Sequence, residues 1–246
     1  MDGSFFLHQF ILVLVLFSLY YVTGQLVRLK GVKVNYTRKL NHMAIFFLPL
    51  FLDLILGYQK SVLTVSIGLL ISISTLFVFI QPIRERSGII RTMFLSFDRP
   101  EDRPHTMTWL ITQYIAAAAV IIPLVVLLGW LSLGALVFIP LLINGLGDGL
   151  AEPIGVRFGR LKYVVRARFT EKTYQRSIEG SLCVFVAGIL SIAAFNNLFS
   201  PMQFMAALIT VPLAATVAEA YSPHTWDTPF IYGTAGLLLI GIMSFL

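Results

Sequence analysis

Long apolar runs limit what this chain can fold into more than any other feature of its sequence. A helix needs about 20 apolar residues to cross about 30 Å of hydrocarbon. Of the 246 residues, 57% are hydrophobic and 12% are charged, which is more apolar surface than a soluble domain of this size can bury. The sequence therefore predicts an all-α integral membrane protein with about eight transmembrane helices. Their expected bounds are 5–23, 42–57, 61–80, 108–128, 131–150, 179–198, 201–220 and 230–246.

The loops between these runs are too short to hold a separate soluble domain, so we expect one polytopic membrane domain over residues 1–246. The first run is preceded by Asp2 rather than by a basic residue. No small-residue cleavage site follows it, and both features favour a retained helix over a signal peptide.

The basic residues are distributed unevenly along the chain. All Lys and Arg residues except Lys60 fall in the segments 24–42, 81–107 and 151–178. Basic loops face the cytoplasm in membrane proteins, so the pattern predicts that these three segments are cytoplasmic and that both termini are non-cytoplasmic. Orientation and contact with anionic lipid explain most of these charges.

Carboxylates near a membrane are costly and usually functional. Five of them fall at the predicted cytoplasmic ends of helices or just beyond: Asp148, Glu152, Glu179, Glu219 and Asp227. Asp2 and Asp53 fall near the other face, where we expect no charged partner, so we interpret them as structural. The pattern predicts a functional site at the cytoplasmic face, with its nucleotide and metal contacts in about 144–181 and 216–229.

Three polar residues at the end of the fifth run have the spacing of a helical stripe. Asn144, Asp148 and Glu152 are each four residues apart, so a continuing helix would place them on one side. Mg²⁺ takes one or two carboxylates together with water and phosphate oxygens, and the stripe therefore predicts a Mg²⁺ site. Gly147 and Gly149 fit either a close approach of phosphate to the backbone or close helix packing.

A basic segment follows the acids. Lys172 and Arg176 are four residues apart, and Ser177 is placed to cap a helix that starts near Ile178, where backbone N–H groups favour anions. Cations, a helix start and an acid pair indicate a site for a nucleoside triphosphate and a metal ion, with Lys162 as a further phosphate contact. The alternative is that Glu179 and Glu219 form ion pairs with Lys172 and Arg176 and only stabilise the fold.

Four ordered motifs resemble one enzyme family. The segments "GDGLAEPIGVRFGRLKY", "RSIEGS" and "AEAYSPHTWDTPF", with "RKLNH" upstream, are similar to those of the CTP-using membrane lipid kinases. This family includes phytol, farnesol and dolichol kinases and the yeast-type diacylglycerol kinase, and its superfamily includes the CDP-diacylglycerol synthases. The likeness runs from about Arg38 to Pro229.

The resemblance implies roles for individual residues. Asp148 and Glu152 match the metal and nucleotide acids, and Arg38 and His42 match the Arg-Lys-x-x-His segment as possible substrate contacts. Further matches fall in two later motifs: Ser177, Glu179, Gly180 and Ser181 in one, and Glu219, Ser222, Pro223 and Asp227 in the other. Two residues depart from the pattern, because Arg176 replaces a lysine and Thr228 replaces an asparagine.

The resemblance implies transfer of a phosphoryl group from CTP, or UTP, to the hydroxyl of a membrane isoprenoid alcohol such as phytol. Glu219 or Asp227 would orient that hydroxyl. The alternatives are a CTP-dependent diacylglycerol kinase, a cytidylyltransferase that forms a CDP-lipid, and a small membrane transporter. We expect no nucleic-acid partner, and the oligomeric state is left open.

Overall fold

The computed structural model describes residues 3–168 and 171–246, and Asp2 lies outside this part of the chain. The described residues are mostly helical and divide into two compact units, Met1–Ile115 and Ala116–Leu246. Within the described ranges, six helices are long and apolar enough to cross a membrane. The chain is thus a multi-pass, predominantly helical membrane protein, while the single domain remains a prediction.

The six candidate spans agree with six of the expected runs. They are Gly3–Lys30, Val62–Phe79, Thr106–Trp130, Gly134–Phe158, Pro201–Tyr221 and Asp227–Phe245. The expected run 179–198 forms a helix of 17 residues, Ile178–Ala194. The expected run 42–57 lies in a helix that starts earlier, at Val34, and includes Arg38, Lys39 and Asp53. The count of eight spans therefore stays a prediction.

Helices of the first unit pack around aromatic side chains. Their bounds are α1 Gly3–Lys30, α2 Val34–Ile55, α3 Val62–Thr75, α4 Gln81–Arg86, α5 Gly88–Leu95 and the first part of α6 Thr106–Trp130. Tyr20, Phe79, Phe94 and Phe97 are buried together in this core. A side chain at Gly24 would collide with the backbone of Thr92, so α1 and α5 approach closely only because this residue is glycine.

One expectation for the first unit is wrong. Asp53 was expected to have no charged partner, but His8 Nε2 lies 3.2 Å from its Oδ1 and Lys60 Nζ contacts its Oδ2. His8 is buried in the first turns of α1. Residues from α1, from the end of α2 and from the following loop therefore meet, which sequence spacing does not reveal.

The second unit contains the segment expected to form the site. Its elements are α7 Phe138–Leu142, a π-helical turn Ile143–Asp148, α8 Gly149–Phe158, strands β1 Lys162–Arg166 and β2 Thr173–Ser177, α9 Ile178–Ala194, α10 Pro201–Tyr221 and α11 Asp227–Phe245. α9, α10 and α11 pack through fully buried small and branched residues, among them Val184, Val211, Ala215, Ile231 and Leu239. At Gly188, a side chain would lie 2.8 Å from Pro212, which shows how closely α9 and α10 approach.

The strands are the main departure from an all-helical expectation. β1 and β2 pair antiparallel as a two-stranded hairpin, with Tyr163 opposite Arg176 and Val165 opposite Tyr174. The segment 151–178, expected as a loop, thus contains the end of α8 followed by this hairpin. Ser177 ends the hairpin and caps α9, because its hydroxyl accepts the backbone N–H of Gly180 at 3.1 Å. The predicted cap is confirmed.

Candidate functional site

The first acid of the site lies in a break in helical geometry. The helix through Asn144, Asp148 and Glu152 does continue, but the turn Ile143–Asp148 is π-helical. π-helical turns are rare and occur frequently at functional sites. Asn144 is fully buried and Asp148 is 2% exposed, while Glu152 is half-buried in the first turn of α8. The segment therefore places an amide and a carboxylate inside the protein.

Two glycines expected at the site have a packing role. A side chain at Gly147 would lie 2.8 Å from the Cα of Val184 in α9. One at Gly180 would lie 2.7 Å from the carbonyl oxygen of Ala151. Of the two interpretations of the glycines, close helix packing explains Gly147. Gly149 is the buried first residue of α8.

Arg176 is the centre of the polar cluster. Its Nη1 lies 3.0 Å from Glu219 Oε1 and donates to the hydroxyl of Ser222 at 3.1 Å, and it also contacts the carbonyl oxygen of Glu219. Its Nη2 lies 3.7 Å from Asp227 Oδ2, which is longer than a hydrogen bond. Nη1 is therefore held by hydrogen bonds to Glu219 and Ser222, whereas the ion pair of Nη2 with Asp227 is longer.

The charges around Arg176 come from separate elements. Burial lowers the pKa of Arg176, but the carboxylate charges of Glu219, Asp227 and Asp148 raise it, and the net shift is upward. The guanidinium therefore stays protonated among carboxylates from the π-helical turn, α10 and α11. Glu219 and Asp227 are 3% and 6% exposed, so these charges interact away from bulk water. We call Asp148, Arg176, Glu219 and Asp227 the charged cluster.

Glu219 uses both of its carboxylate oxygens. While Oε1 faces Arg176, Oε2 accepts the hydroxyl of Ser181 at 2.8 Å. Because Ser181 donates to Glu219, the hydroxyl of Tyr163, 2.6 Å away, is the donor to Ser181. Burial raises the pKa of Tyr163, and the charge of Glu219 raises it further, so this hydroxyl keeps its proton at neutral pH. Tyr163 and Arg176 are cross-strand partners, and the hairpin thus holds Glu219 from two sides.

A second contact fixes the hairpin to the turn between α10 and α11. The rings of Tyr174 and His224 stack at 5° with centroids 3.4 Å apart, and the backbone N–H of His224 donates to the carbonyl of Arg166. In the same turn, Thr225 has a φ of +68°, which is unfavourable for a β-branched residue. The turn is therefore held in place by its contacts rather than by the preference of its own backbone.

The remaining predicted residues lie in different surroundings. Glu179 Oε1 accepts the backbone N–H groups of Arg160 and Leu161 at 2.9 and 3.3 Å, so it ties the start of α9 to the segment before β1. Lys162 is exposed on the hairpin face opposite to Arg176. Lys172 is exposed and immediately precedes β2. The structure does not bring Lys162 to the face of the charged cluster.

One of the ion pairs in that alternative is present, since Glu219 and Arg176 are in direct contact. Arg38 and His42 lie in α2 of the first unit, where the His42 ring packs on Phe46. Their role as substrate contacts stays a prediction.

Sequence reasoning missed Tyr163, Tyr174 and His224. The two tyrosines share one face of the hairpin with Arg176 because side chains alternate along a strand. A strand assignment for "KYVVR" and "TYQRS" would have grouped them with Arg176. Nothing in the local sequence indicates that His224 stacks on Tyr174, 50 positions earlier.

Within residues 3–168 and 171–246, no group of three or more His, Cys, Asp or Glu side chains is arranged to hold a metal ion. Mg²⁺ that is bound with a nucleotide needs only one or two carboxylates, and Asp148 supplies such a donor. No protein-family model, curated protein or solved structure matches the chain.

Proposed function

We propose that this protein transfers the γ-phosphoryl group of CTP, or of UTP, to the hydroxyl of a membrane isoprenoid alcohol of the phytol class. The observation that carries the proposal is the convergence of Asp148, Glu219 and Asp227 on Arg176. Burying charges is costly, and clusters of strongly interacting titratable groups are common at functional sites. The motif resemblance to CTP-using lipid kinases supports the choice of donor and acceptor.

Arg176 is the proposed contact for the triphosphate. Its Nη1 is anchored by Glu219 and Ser222, whereas the ion pair of Nη2 with Asp227 is 3.7 Å long. A phosphate oxygen can compete with a contact of that length, because a charge-assisted hydrogen bond forms at about 2.7–2.9 Å. In this proposal Glu219 positions Arg176, while Arg176 binds the nucleotide with help from Lys172.

Asp148 is the proposed metal ligand, with Asn144 and Glu152 from the same helical segment. Its carboxylate is buried and interacts electrostatically with Arg176, and carboxylate and amide oxygens are the donors that Mg²⁺ prefers. A bound Mg²⁺ would neutralise charge on the phosphates. This lets negatively charged residues and a negatively charged substrate share one site.

Glu219 or Asp227 is the candidate to orient the acceptor hydroxyl. The two oxygens of Glu219 face Arg176 and Ser181. Asp227 begins α11, and its Oδ1 accepts the backbone N–H of Thr228 at 3.1 Å. Phosphoryl transfer has a loose transition state, so holding the alcohol in line requires little proton abstraction.

The test is an acceptor screen with purified protein in detergent. The protein is incubated with Mg²⁺, CTP labelled at the γ-phosphate, and phytol, farnesol, dolichol or diacylglycerol in turn. We expect label in the isoprenoid phosphate, with Asp148→Asn as the inactive control. Release of pyrophosphate with a CDP-lipid product would replace the kinase by a cytidylyltransferase. Absence of any product would overturn the proposal and favour a transporter.

A further inference from the structure

The hairpin has two unlike faces. Tyr163, Tyr174 and Arg176 lie on the face that contacts the charged cluster. The opposite face, which we call the outer face, is formed by exposed residues: Lys162, Val164, Arg166, Thr173 and Gln175. Neither strand contains an acid, so the outer face is basic.

An apolar strip runs beside these cations. Val164 is 63% exposed, Leu161 62% and Phe158 59%, which is unusual for large apolar side chains that lie next to an aqueous phase. Arg157 and Arg160 are exposed on either side of Phe158, and the guanidinium of Arg157 lies 5.3 Å from the centre of the Phe158 ring. Cations and exposed apolar side chains thus alternate along the sequence from Arg157 to Arg166, with the carboxylate of Glu179 against the backbone of Arg160 and Leu161.

The hairpin is tethered close to the membrane. The candidate span Gly134–Phe158 ends four residues before β1 begins at Lys162. Four Cα steps reach at most about 15 Å, while the headgroup layer on each side of the hydrocarbon is several ångströms thick. β2 ends at Ser177, where α9 starts at once. Both ends of the hairpin therefore return to apolar helices.

We infer that the outer face, together with Phe158 and Leu161, lies on the headgroups of anionic phospholipid in the leaflet next to the hairpin. Clustered Lys and Arg residues are attracted to the negative surface of such a leaflet. Aromatic and aliphatic side chains insert at the boundary between headgroups and acyl chains. The inference rests on the hairpin and the candidate spans, and it holds whether or not the protein is a kinase.

The test uses a neutral quencher and a fluorescent label on the outer face. Gln175→Cys, the cross-strand partner of Val164, is labelled in a Cys183→Ser background. The full chain is reconstituted as one copy per nanodisc, in phosphatidylcholine alone or mixed with phosphatidylglycerol. We expect anionic lipid to protect the label from acrylamide and to shift its emission to the blue.

A charge variant and a matched control define the contact. The double variant Lys162→Gln with Arg166→Gln should weaken binding of the outer face to anionic headgroups about five-fold for each charge removed. Arg28→Gln with Lys30→Gln removes two exposed cations near the end of α1 and should leave the label protected. Each variant is first shown to keep its melting temperature.

Three results would overturn the inference. In the first, acrylamide reaches the label equally in both lipids. In the second, the label is protected equally in both lipids and the charge variant has no effect. In the third, protection occurs only in discs that hold two copies, which would identify a second chain as the partner.

Discussion

Each unit has an arginine that is mostly buried, and the described ion pairs of the two differ in sequence separation. In the first unit, Arg99 Nε lies 2.7 Å from Oδ2 of Asp102, three residues further along the chain. In the second unit, Arg176 is shared by Glu219, Asp227 and Asp148, from three separate elements. A local pair fixes one loop. A cluster drawn from distant elements keeps several buried charges together, and we therefore propose a functional role for Arg176 and a structural role for Arg99.

A neutral polar contact of the first unit also differs from the charged cluster. In the first unit, Asn41 of α2 accepts the hydroxyl of Thr23 at 3.1 Å and donates to the hydroxyl of Ser96 at 2.9 Å. These partners are neutral. In the second unit, Arg176 joins α10 and α11 through contacts with the charged groups of Glu219 and Asp227. Substitutions at these contacts of the first unit should therefore lower stability, whereas substitutions in the charged cluster should change turnover or the KM for nucleotide.

The largest effect is expected for Asp148→Asn. This change removes a charge that the proposed metal ion needs and keeps the shape of the side chain. Transfer of phosphate should fall at least about 100-fold, with the melting temperature nearly unchanged. Glu171→Gln, which removes an exposed acid beside the hairpin, serves as the control and should keep normal turnover. Normal turnover in Asp148→Asn would refute the metal assignment.

Arg176→Ala and Arg99→Ala together test the comparison itself. Because a hydrogen bond to a charged group contributes about 1.5–3 kcal/mol, Arg176→Ala should raise the KM for nucleotide about 10- to 100-fold and the KM for lipid much less. Arg99→Ala should lower the melting temperature and leave both constants unchanged in the folded fraction. Arg176→Lys provides a milder variant if alanine prevents folding.

The comparison fails under either of two results. If Arg176→Ala changes the KM for nucleotide and the KM for lipid equally, Arg176 has a structural role like that of Arg99. If Arg99→Ala raises the KM for nucleotide, the first unit also contributes to nucleotide binding.

A smaller effect is expected for Tyr174→Ala. Loss of the stack on His224 removes an interaction of about 0.5–1.5 kcal/mol, so β2 should be held less firmly beside the charged cluster. We expect the KM for nucleotide to rise about two- to ten-fold and the hairpin amides to exchange hydrogen faster. Tyr174→Phe keeps the ring and should change the KM for nucleotide less than Tyr174→Ala does. Faster exchange without any change in KM would show that the stack does not position Arg176.

The smallest effect on activity is expected for Asn41→Ala. It leaves Thr23 and Ser96 without this partner and should reduce the free energy of unfolding by about 1–2 kcal/mol. Turnover in the folded fraction should stay the same. Leu40→Ala, at a half-exposed neighbouring position, is the control for the loss of side-chain volume. A change in KM for Asn41→Ala alone would assign the first unit a direct role in binding.

The apolar runs were sufficient to predict a multi-pass helical membrane protein, because burial in lipid requires long apolar helices. Ser177 could be predicted as a cap from its position just before an apolar run, since capping is local. The hairpin could not, because its strands have five residues each and lie in a charged segment that also fits a loop.

Contacts between residues far apart in the sequence could not be predicted either. Asn144, Asp148 and Glu152 could be grouped by helical spacing, but the contact of Arg176 with Glu219 spans 43 positions. Residue spacing identified the acids and Arg176 as separate candidate site residues. It did not show whether their side chains are in contact. It also failed for Asp53, whose partners His8 and Lys60 lie on other segments. Such pairings depend on helix packing, which local pattern does not determine.

Binding of a divalent ion together with nucleotide tests the central claim most directly. Wild-type protein and Asp148→Asn are titrated with Mn²⁺ in place of Mg²⁺, with and without CTP, and bound Mn²⁺ is measured by electron paramagnetic resonance. The account predicts one immobilised Mn²⁺ per wild-type chain when CTP is present, and its loss in Asp148→Asn. Equal binding by both proteins, or no binding by the wild type, would contradict it.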